Sequence, residues 1–499
     1  MKSLITALIL LSVFEGNLLF AQPQITAREI RAHINYLASD EMKGRETGSP
    51  ELYTAARYVK HEFEKYKLTP FFQGSFFQEF SFISGLKQSD SCEFAISDGK
   101  SLVEYINRLD FASYSFSGSN HLIAPLVFAG FGISAPEIAY DDYAGIDVKG
   151  KIAIVFRSTP DSGAYYSAFE KHSENRIKAQ VAKEHGAAGI IFVNSYIDET
   201  DVLYRPGYDG APPMNDFPVI QIKRYILEDL MKNNGHNASD IYKYITSKKK
   251  PASIVFDNLL CTVKAGVNFL TKKSVNVAAY IPGSDSLLKN EYVVIGAHLD
   301  HLGMGMRGSR YSGSIPQIHN GADDNASGVA GILELAEKFA SDSIKPKRSI
   351  IFVAFSGEEL GFLGSEYFVK NLNIDDSSIT AMINLDMIGR LQDRSLTVFG
   401  TGSSDVWENY ISEKNKNYKF RLTLKKDGSG GSDQSQFYFR GIPVLFFFTG
   451  YHPDYHMPSD DAHKISPEGE QSVLSFVYDI AREITSGSIR PKFRNISEF

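Results

Sequence analysis

The sequence is poor in three features that would narrow its function at once: cysteine, excess charge and long apolar runs. Its 499 residues include two cysteines, Cys92 and Cys261, and carry a formal net charge of −7. Because this charge is small for the length, nothing in the composition points to a nucleic-acid partner. The two cysteines lie in strand-like segments, and they either pair in an oxidising compartment or remain two buried thiols.

The first residues of the chain contain an apolar segment of moderate length. Lys2 precedes an apolar segment, residues 4–14, of the length expected for the hydrophobic region of a secretory signal peptide. Glu15 and Asn17 interrupt this segment, so it is too short to cross a bilayer. No cysteine follows closely, which argues against a lipoprotein anchor. We therefore predict a signal peptide over residues 1–21 and a secreted or periplasmic protein without stable membrane insertion.

The chain is long enough for two or three domains with a large core. From about residue 122 to 247 the pattern changes to short apolar β runs, such as residues 151–156. Strand, loop and helix patterns resume near Leu259. We predict, after the signal peptide, an N-terminal part of the main domain (24–121), a β-rich insert (122–247), the domain core (248–487) and a C-terminal tail (488–499).

Strand and helix patterns alternate on both sides of the insert. Residues 26–37, with Thr26 as N-cap, and 49–66, with Pro50 in the first turn, predict amphipathic helices separated by a loop. Beyond the insert the predicted strands are 292–297, 349–355, 379–384 and 442–448, and the predicted helices are 326–340 and 362–370. Such alternation predicts an α/β fold with a mostly parallel mixed sheet and helices on both faces.

Five short motifs place ionisable side chains directly after apolar runs. In chain order they are Gly296-Ala297-His298-Leu299-Asp300, Gly321-Ala322-Asp323-Asp324-Asn325-Ala326-Ser327-Gly328, Ser356-Gly357-Glu358-Glu359-Leu360-Gly361, Asn384-Leu385-Asp386-Met387 and Asp454-Tyr455-His456-Met457-Pro458-Ser459-Asp460. Imidazole and carboxylate are ligands of zinc, and sites of open α/β sheets form at the carboxyl ends of strands. The set therefore predicts a hydrolytic site with two metal ions.

A metal pair needs one bridging carboxylate and at least two further ligands for each ion. The motifs supply a bridging Asp, His with Asp for one ion, and His with Glu for the other. One Glu is left over, and an unliganded carboxylate beside an activated water can act as general base. The sequence alone leaves open which of Glu358 and Glu359 has which role. The order of the five motifs argues against ordinary solvated surface pairs.

Between about residues 276 and 465 these motifs resemble the M28 family of zinc aminopeptidases, which are co-catalytic two-zinc peptidases. The resemblance implies that Glu358 is the general base and that Glu359 is a ligand. It also implies that the bridging carboxylate belongs to Asp324, not Asp323, and that the peptide bond after Asp324 is cis. Two zinc ions per chain would then be held by five ligands: His298, Asp324, Glu359, Asp386 and His456.

The same resemblance suggests roles around the ligands. Tyr455, next to His456, is implied as a donor to the developing oxyanion. Asp300, two residues after His298, is placed to accept the second N–H of that imidazole by a side-chain or backbone oxygen. Gln434 stands where the family often has a histidine that is not a ligand, so the metal set is intact. Three other histidines beside the motifs, which are candidates for contact with substrate, are His301, His319 and His452.

The insert resembles a protease-associated (PA) domain. The similar stretches are Tyr140-Asp141-Asp142-Tyr143, Gly150-Lys151-Ile152 and Gly186-Ala187-Ala188-Gly189. The insert supplies none of the predicted ligands. We expect it to wall one side of the cleft and to limit the size of the substrate.

The predicted function is therefore that of an exported zinc aminopeptidase acting on peptide substrates through an activated water. A carboxypeptidase or dipeptidase of the same fold would need a cation for the C-terminal carboxylate, and Arg307, Arg310 and Arg390 are the nearby arginines in sequence. A glutaminyl cyclase would use a single zinc, and a non-enzymatic binding protein would have lost ligands; the full ligand set argues against both. The sequence does not indicate an oligomeric state.

Overall fold

The chain forms two compact units. In the computed structural model the described residues are 24–162, 164, 166–197, 200–204, 207, 210–487 and 489–495, so the predicted signal peptide lies outside them. One unit, which we call the discontinuous unit, combines the chain up to Phe82 with the chain from Lys273 onward. The other, the inserted unit, is Ile83–Lys272.

Strands occur throughout both units. In chain order they are β1 (Thr69–Pro70), β2 (Phe77–Gln88), β3 (Glu93–Ser97), β4 (Leu102–Glu104), β5 (Phe111–Ser113), β6 (Asn120–Phe128), β7 (Ser134–Ala135), β8 (Tyr140–Asp141), β9 (Ile152–Phe156), β10 (Gly189–Val193), β11 (Val219–Ile222), β12 (Ile254–Ala265), β13 (Val267–Ile281), β14 (Tyr292–His298), β15 (Ser349–Phe355), β16 (Ile379–Leu385), β17 (Ser395–Phe399), β18 (Arg421–Leu424) and β19 (Val444–Phe448).

Helices separate most of the strands that carry the motifs. In chain order they are α1 (Ala27–Leu37), α2 (Pro50–Lys65), α3 (Asn175–Glu184), α4 (Arg224–Asn233), α5 (Ala238–Lys248), α6 (Gly328–Ser341), α7 (Leu363–Lys370), α8 (Trp407–Tyr418), α9 (Gln434–Tyr438) and α10 (Pro467–Ser486). None of the described helices combines the length and the apolarity of a bilayer-spanning segment.

The discontinuous unit is built on one mixed sheet. Its strand order is β1-β13-β15-β14-β16-β19-β17-β18, and β2 also pairs with β13. The four central strands, β15, β14, β16 and β19, are mutually parallel, whereas β13 and β17 pair with this centre in the antiparallel sense. All residues of β15, β16 and β19 are buried, as expected for central strands that are covered on both faces.

Alternate residues of the central strands pack against helices on opposite faces of the sheet. Val293 and Ile295 of β14 belong to a core cluster with residues of α1, α2, α6 and α10. Val294, between them, belongs to a cluster with Phe368 of α7 and Phe437 of α9. Because neighbouring side chains of a strand point to opposite faces, the helices form a layer on each side. The predicted α/β fold, a mixed sheet with helices on both faces, is confirmed.

The inserted unit is built on a second mixed sheet. Its strand order is β4-β3-β12-β6-β9-β10-β11-β5, with parallel pairing from β6 through β9 and β10 to β11. The short strands β7 and β8 form a separate antiparallel pair. The runs in β9 and β10 are buried at every position, and the unit has its own apolar clusters. The predicted β-rich character is observed.

The two N-terminal helices begin where their capping residues predict. The Thr26 side chain accepts a hydrogen bond from the N–H of Glu29, and the Ser49 side chain accepts one from Leu52, each at 3.1 Å. Pro50 occupies the first turn of α2. The predicted loop between the helices contains a short helical turn, Asp40–Arg45, which local polarity did not reveal.

Both cysteines are buried free thiols of the inserted unit. The Cys92 sulfur lies 3.4 Å from Ser113 Oγ and 3.5 Å from the carbonyl oxygen of Gly266. Burial raises the pKa of Cys261, which keeps this thiol protonated and unreactive. Of the two alternatives for the cysteines, the structure selects separate thiols.

Candidate metal centre

Four of the five motifs meet at the carboxyl edge of the central parallel strands. β14 ends at His298, the pair Glu358 and Glu359 follows β15, and Asp386 follows β16. His456 lies in the loop after β19. Since these strands are consecutive in the sheet, residues far apart in sequence come together at one edge.

The fifth motif forms the entry to α6. Asp324 lies in a wide helical turn, Ala322–Ser327, and its peptide bond to Asn325 is cis, as the resemblance implied. The carboxylate of Asp460 accepts hydrogen bonds from the backbone N–H groups of Asp323 and Asp324, at 3.0 and 3.1 Å. The loop after β19 therefore fixes the backbone that presents Asp324.

The two oxygens of Asp324 face two different histidines. Oδ1 lies 3.2 Å from His298 Nε2, and Oδ2 lies 3.2 Å from His456 Nε2. Asp386 Oδ1 is 3.4 Å from His298 Nε2, and Glu359 Oε2 is 3.3 Å from His456 Nε2. The side chains therefore form two groups of three that share one carboxylate.

The spacing within both groups fits zinc. Two ligand atoms bound at roughly 2.0–2.2 Å to a tetrahedral zinc ion lie about 3.3–3.5 Å apart. The four nitrogen–oxygen distances, 3.2 to 3.4 Å, are close to that value. The atoms are imidazole nitrogens and carboxylate oxygens, both of which are zinc ligands. The residues present thus fit two zinc ions with Asp324 between them.

Each of the two histidines is oriented by a backbone carbonyl. His298 Nδ1 lies 3.1 Å from the carbonyl oxygen of Asp300, and His456 Nδ1 lies 2.9 Å from that of Gly308. An N–H donated from Nδ1 fixes the tautomer and leaves the Nε2 lone pair for a metal. Asp300 is thus the partner of His298, as predicted, and it contributes its backbone oxygen. Its carboxylate oxygen Oδ1 lies 4.0 Å from His298 Nδ1.

The Asp300 carboxylate has a different task. It accepts a hydrogen bond from the hydroxyl of Thr47 at 2.6 Å and another from the backbone N–H of Glu358 at 3.2 Å. Asp300 is fully buried, so these two donors compensate a carboxylate that has no contact with water. It fixes the backbone from which Glu358 extends.

Negative charge dominates the electrostatics of the centre. Burial lowers the pKa of His298, but Asp386 and Glu358 outweigh it, so the pKa lies well above its ordinary value. Burial also lowers the pKa of His456, and hydrogen bonds with Asp324 and Glu359 raise it to about 10. The carboxylates of the centre thus favour positive charge at this position, from protons on the imidazoles or from bound cations.

The neighbouring glutamates have opposite environments. Burial, with the charges of Glu359 and Asp386, raises the pKa of Glu358 well above its ordinary value despite the opposing effect of His298. Burial would raise the pKa of Glu359 too, but hydrogen bonds with His301 and His456 bring it below the ordinary value. Among the described residues, Glu359 belongs to a potential ligand group and Glu358 does not. The roles that the resemblance implied for Glu358 as base and Glu359 as ligand stay a prediction.

The Tyr455 ring stacks on the imidazole of His456, with 3.9 Å between the ring centroids. Burial and the charges of Asp324 and Glu359 raise the pKa of Tyr455. Its hydroxyl is therefore protonated at neutral pH and is able to donate a hydrogen bond.

His301 belongs to the centre more closely than its sequence context suggested. Its Nδ1 lies 2.7 Å from Glu359 Oε1 and 3.8 Å from Asp324 Oδ2, and the ring is buried. His301, Asp324 and Glu359 thus form a group whose potential ligand atoms lie within 4.8 Å of one another. The signal in the sequence is its spacing of three residues from His298, which puts both in the short segment that leaves β14.

The other residues of interest lie further out. His319 Nε2 is 2.7 Å from Ser309 Oγ, and its pKa is lowered by burial. His452 Nε2 is 3.1 Å from Asp323 Oδ2. Gln434 is fully buried and donates from its side chain to the carbonyl of Gly430 at 2.6 Å. These contacts support the loops of the centre without adding a ligand.

Sequence reasoning did not single out Arg45. This guanidinium is buried and donates to the backbone carbonyls of Leu299 at 2.9 Å, Asn320 at 2.8 Å and Gly321 at 3.0 Å, and also to that of Leu37. It ties the segment after His298 to the segment before Asp324. Burial lowers the pKa of Arg45 to about 10, so it stays charged at neutral pH.

Comparison with protein families identifies both units. The model of "Peptidase family M28" matches residues 276–481, which include all five predicted ligands. The model of "PA domain" matches residues 122–230, within the inserted unit. The part of the chain that holds the predicted ligands thus matches peptidase family M28, the inserted unit contains a match to the PA domain, and the protein is an enzyme of the hydrolase class.

Individual relatives agree with this assignment. Aminopeptidase YwaD of Bacillus subtilis is 27% identical over 381 residues, which are 74% of this chain and 69% of that protein. Leupeptin-inactivating enzyme 1 of Streptomyces exfoliatus is 28% identical over 269 residues, 51% of this chain and 54% of that protein. The chain thus spans about half to two thirds of these relatives.

Solved structures share the fold. An aminopeptidase from Aneurinibacillus sp. strain AM-1 superposes with a TM-score of 0.52 at 23% identity, covering 95% of this chain and 96% of that one. A zinc aminopeptidase from Bacillus subtilis gives a TM-score of 0.50 at 23% identity, covering 95% and 100%. At this identity the likeness concerns the fold alone.

We predict that Arg45→Lys weakens zinc binding and destabilises the discontinuous unit. A lysine offers three donors on one atom and cannot span carbonyls of separate segments, so buried carbonyls lose partners at about 1–3 kcal/mol each. Zinc retained after dialysis against a weak chelator and urea unfolding, followed by the fluorescence of the buried Trp407, measure the two effects. Arg57→Lys, at an exposed position of α2, is the control. Unchanged zinc retention and stability in Arg45→Lys would contradict the prediction.

Proposed function

We propose that the protein is an exported aminopeptidase that uses two zinc ions to remove N-terminal residues from peptides. One observation carries the proposal: Asp324 presents a separate oxygen to each of two histidine-carboxylate groups. A bridging carboxylate of this kind is what a pair of co-catalytic metal ions requires. The match of residues 276–481 to peptidase family M28 and the names of the relatives support the choice of zinc and of aminopeptidase activity.

The proposed residues have separate tasks in the reaction. His298 and Asp386 would hold one ion, and His456 and Glu359 would hold the other. Asp324 would bind both ions. When bound, the ions supply Lewis acidity and make water acidic enough to lose a proton near neutral pH.

Glu358 is the proposed general base. Its carboxylate accepts a proton from the attacking water, and it later donates that proton to the leaving amine as the peptide C–N bond breaks. The phenol of Tyr455 donates a hydrogen bond to the oxygen of the scissile carbonyl as negative charge develops there. The hydrogen bond from the Glu358 backbone to Asp300 orients the base.

Specificity for a free N-terminus fits the charges at the centre. Asp386 and Asp433 are buried, Glu358 is half-buried, and the three carboxylates lie close enough for their charges to interact, so an ammonium group of the substrate would be attracted to them. A carboxypeptidase would instead need an available cation. Arg390, one of the arginines near the motifs, donates to Asp454 and lies 3.2 Å from His452 Nδ1, so its guanidinium is already engaged.

The proposal that the protein is exported rests on its sequence. The N-terminal segment, residues 1–21, has the positive start and apolar length of a signal peptide. The proposed substrates are then peptides outside the cell or in the periplasm.

Glu358→Gln should abolish most of the activity and retain both metal ions. The amide cannot accept the proton, and general acid–base catalysis contributes about 10²–10⁴-fold to rate. We expect kcat to fall by about that factor, with two zinc ions per chain measured by elemental analysis. Glu366→Gln, which alters an exposed carboxylate of α7 that pairs with Lys370, is the control and should match the parent. Near-normal turnover by Glu358→Gln would refute the role of the base.

A substrate panel should separate the proposed activity from its alternatives. Aminoacyl anilides with a free amine should be cleaved, whereas the same compounds with a blocked amine, and peptides cleaved from the C-terminus, should be inert. N-terminal glutaminyl peptides should be hydrolysed and not cyclised. Cleavage from the C-terminus, or cyclisation with a single zinc per chain, would contradict the proposal and favour a carboxypeptidase or a glutaminyl cyclase.

A further inference from the structure

A second group of converging carboxylates lies where α1 meets α6. It consists of Glu29, in the first turn of α1, and Glu334 and Glu337, on one side of α6. One oxygen of each carboxylate lies within 4.8 Å of the oxygens of the other two. We call these three residues the α1–α6 acidic group. None of them is a predicted ligand of the zinc centre.

Glu334 carries an oxygen that has no hydrogen-bond partner. The residue is 1% exposed, and its Oε2 accepts a hydrogen bond from the backbone N–H of Thr26 at 2.9 Å. Its Oε1 is buried and has no hydrogen-bond partner among the described residues. The nearest basic atom, His33 Nε2, is 3.7 Å away, which is too long for a hydrogen bond. An unsatisfied buried oxygen of this kind calls for a ligand or a proton.

The surrounding charges do not neutralise the group. Glu62 is a fourth carboxylate nearby, and its charge contributes to the raised pKa of Glu337. Lys65 is close enough to act on Glu337 and Glu29, but its ammonium group pairs with Glu62 at 2.9 Å. Burial lowers the pKa of His33 to about 4, so this imidazole is neutral at physiological pH. Glu62 and Lys65 thus add one carboxylate and one ammonium group to the three carboxylates of the α1–α6 acidic group.

We propose that the α1–α6 acidic group binds one hard divalent cation, of the calcium type, through the carboxylates of Glu29, Glu334 and Glu337. Calcium takes six to eight oxygen ligands, and water can complete the shell because Glu29 and Glu337 are only partly buried. The cation uses the buried oxygen of Glu334 and removes the repulsion among the carboxylates.

The bound cation has a structural consequence for the zinc centre. It ties α1 to α6, and α6 begins directly after the turn that presents Asp324. The site stabilises the discontinuous unit and takes no part in the reaction.

The competing explanation is a proton. Burial, reinforced by Glu29 and Glu337, raises the pKa of Glu334 to about 8, so a neutral carboxyl group would also relieve the charge. The two explanations predict different binding of metal ions by the protein. A protonated Glu334 needs no metal ion, whereas a cation site gives saturable binding that depends on all three carboxylates.

The test uses the zinc-loaded full-length protein and calcium ion alone as the probe. Calorimetric titration should show one calcium per chain in the parent, and saturating calcium should raise Tm by roughly 2–4 °C, because a ligand that binds only the folded state stabilises it. In Glu334→Gln and Glu337→Gln the affinity for calcium should fall at least about tenfold, which corresponds to about 1.4 kcal/mol. The matched control is Glu64→Gln, a carboxylate of α2 that pairs with Lys60 at 2.7 Å.

Three results would overturn the proposal. They are the absence of calcium binding in the parent, equal binding in the parent and both glutamine variants, and binding of manganese but not calcium. A glutamine variant with a changed Tm but an unchanged response to calcium would show a merely structural role and also count against it. If Glu334→Gln does not fold, Glu337→Gln decides alone, because its side chain is half-buried and its replacement leaves the Thr26 contact intact.

Discussion

The structure depends on one buried carboxylate that must serve two partners at once. Asp324 is 3% exposed, and its two oxygens face His298 and His456. These two histidines lie near opposite ends of the segment that matches peptidase family M28, residues 276–481. A charge removed from water in this way is tolerated only with nearby compensating charge and hydrogen bonds. Burial would raise the pKa of Asp324, yet His301 and the two facing histidines keep it well below its ordinary value. The arrangement of the surrounding loops follows from that requirement.

The mixed sheet meets the requirement because its central strands are parallel. Each of β14, β15, β16 and β19 delivers its motif to the same edge, so no loop has to cross the sheet. Two side chains then hold the loops by hydrogen bonds to their backbone. Arg45 donates to carbonyl groups of two loops, and the carboxylate of Asp460 accepts a hydrogen bond from the backbone N–H of Asp324. The positions of the predicted ligands therefore depend on Arg45 and Asp460, neither of which is a predicted ligand.

The sequence was sufficient for the sheet and for the residues at its edge. The runs that form β14, β15 and β16 are strongly apolar, and an ionisable side chain ends each run or follows it within three residues, so the sequence indicated both the strands and the residues at their ends. The predicted ligand set stays a proposal, although the structure brings its members together. The roles of Arg45 and His301 were not predictable, because each depends on contacts between segments that are distant in sequence. The same holds for the unpartnered oxygen of Glu334, since only the packing of α1 on α6 creates it.

The most direct test of the account is anomalous diffraction from crystals of the zinc-loaded protein, recorded on both sides of the zinc absorption edge. We predict two anomalous peaks roughly 3.5–4 Å apart, with one oxygen of Asp324 at each peak, His298 and Asp386 at the first, and His456 and Glu359 at the second. A single peak, or two peaks of which only one contacts Asp324, would contradict the bridging role on which the proposed function rests.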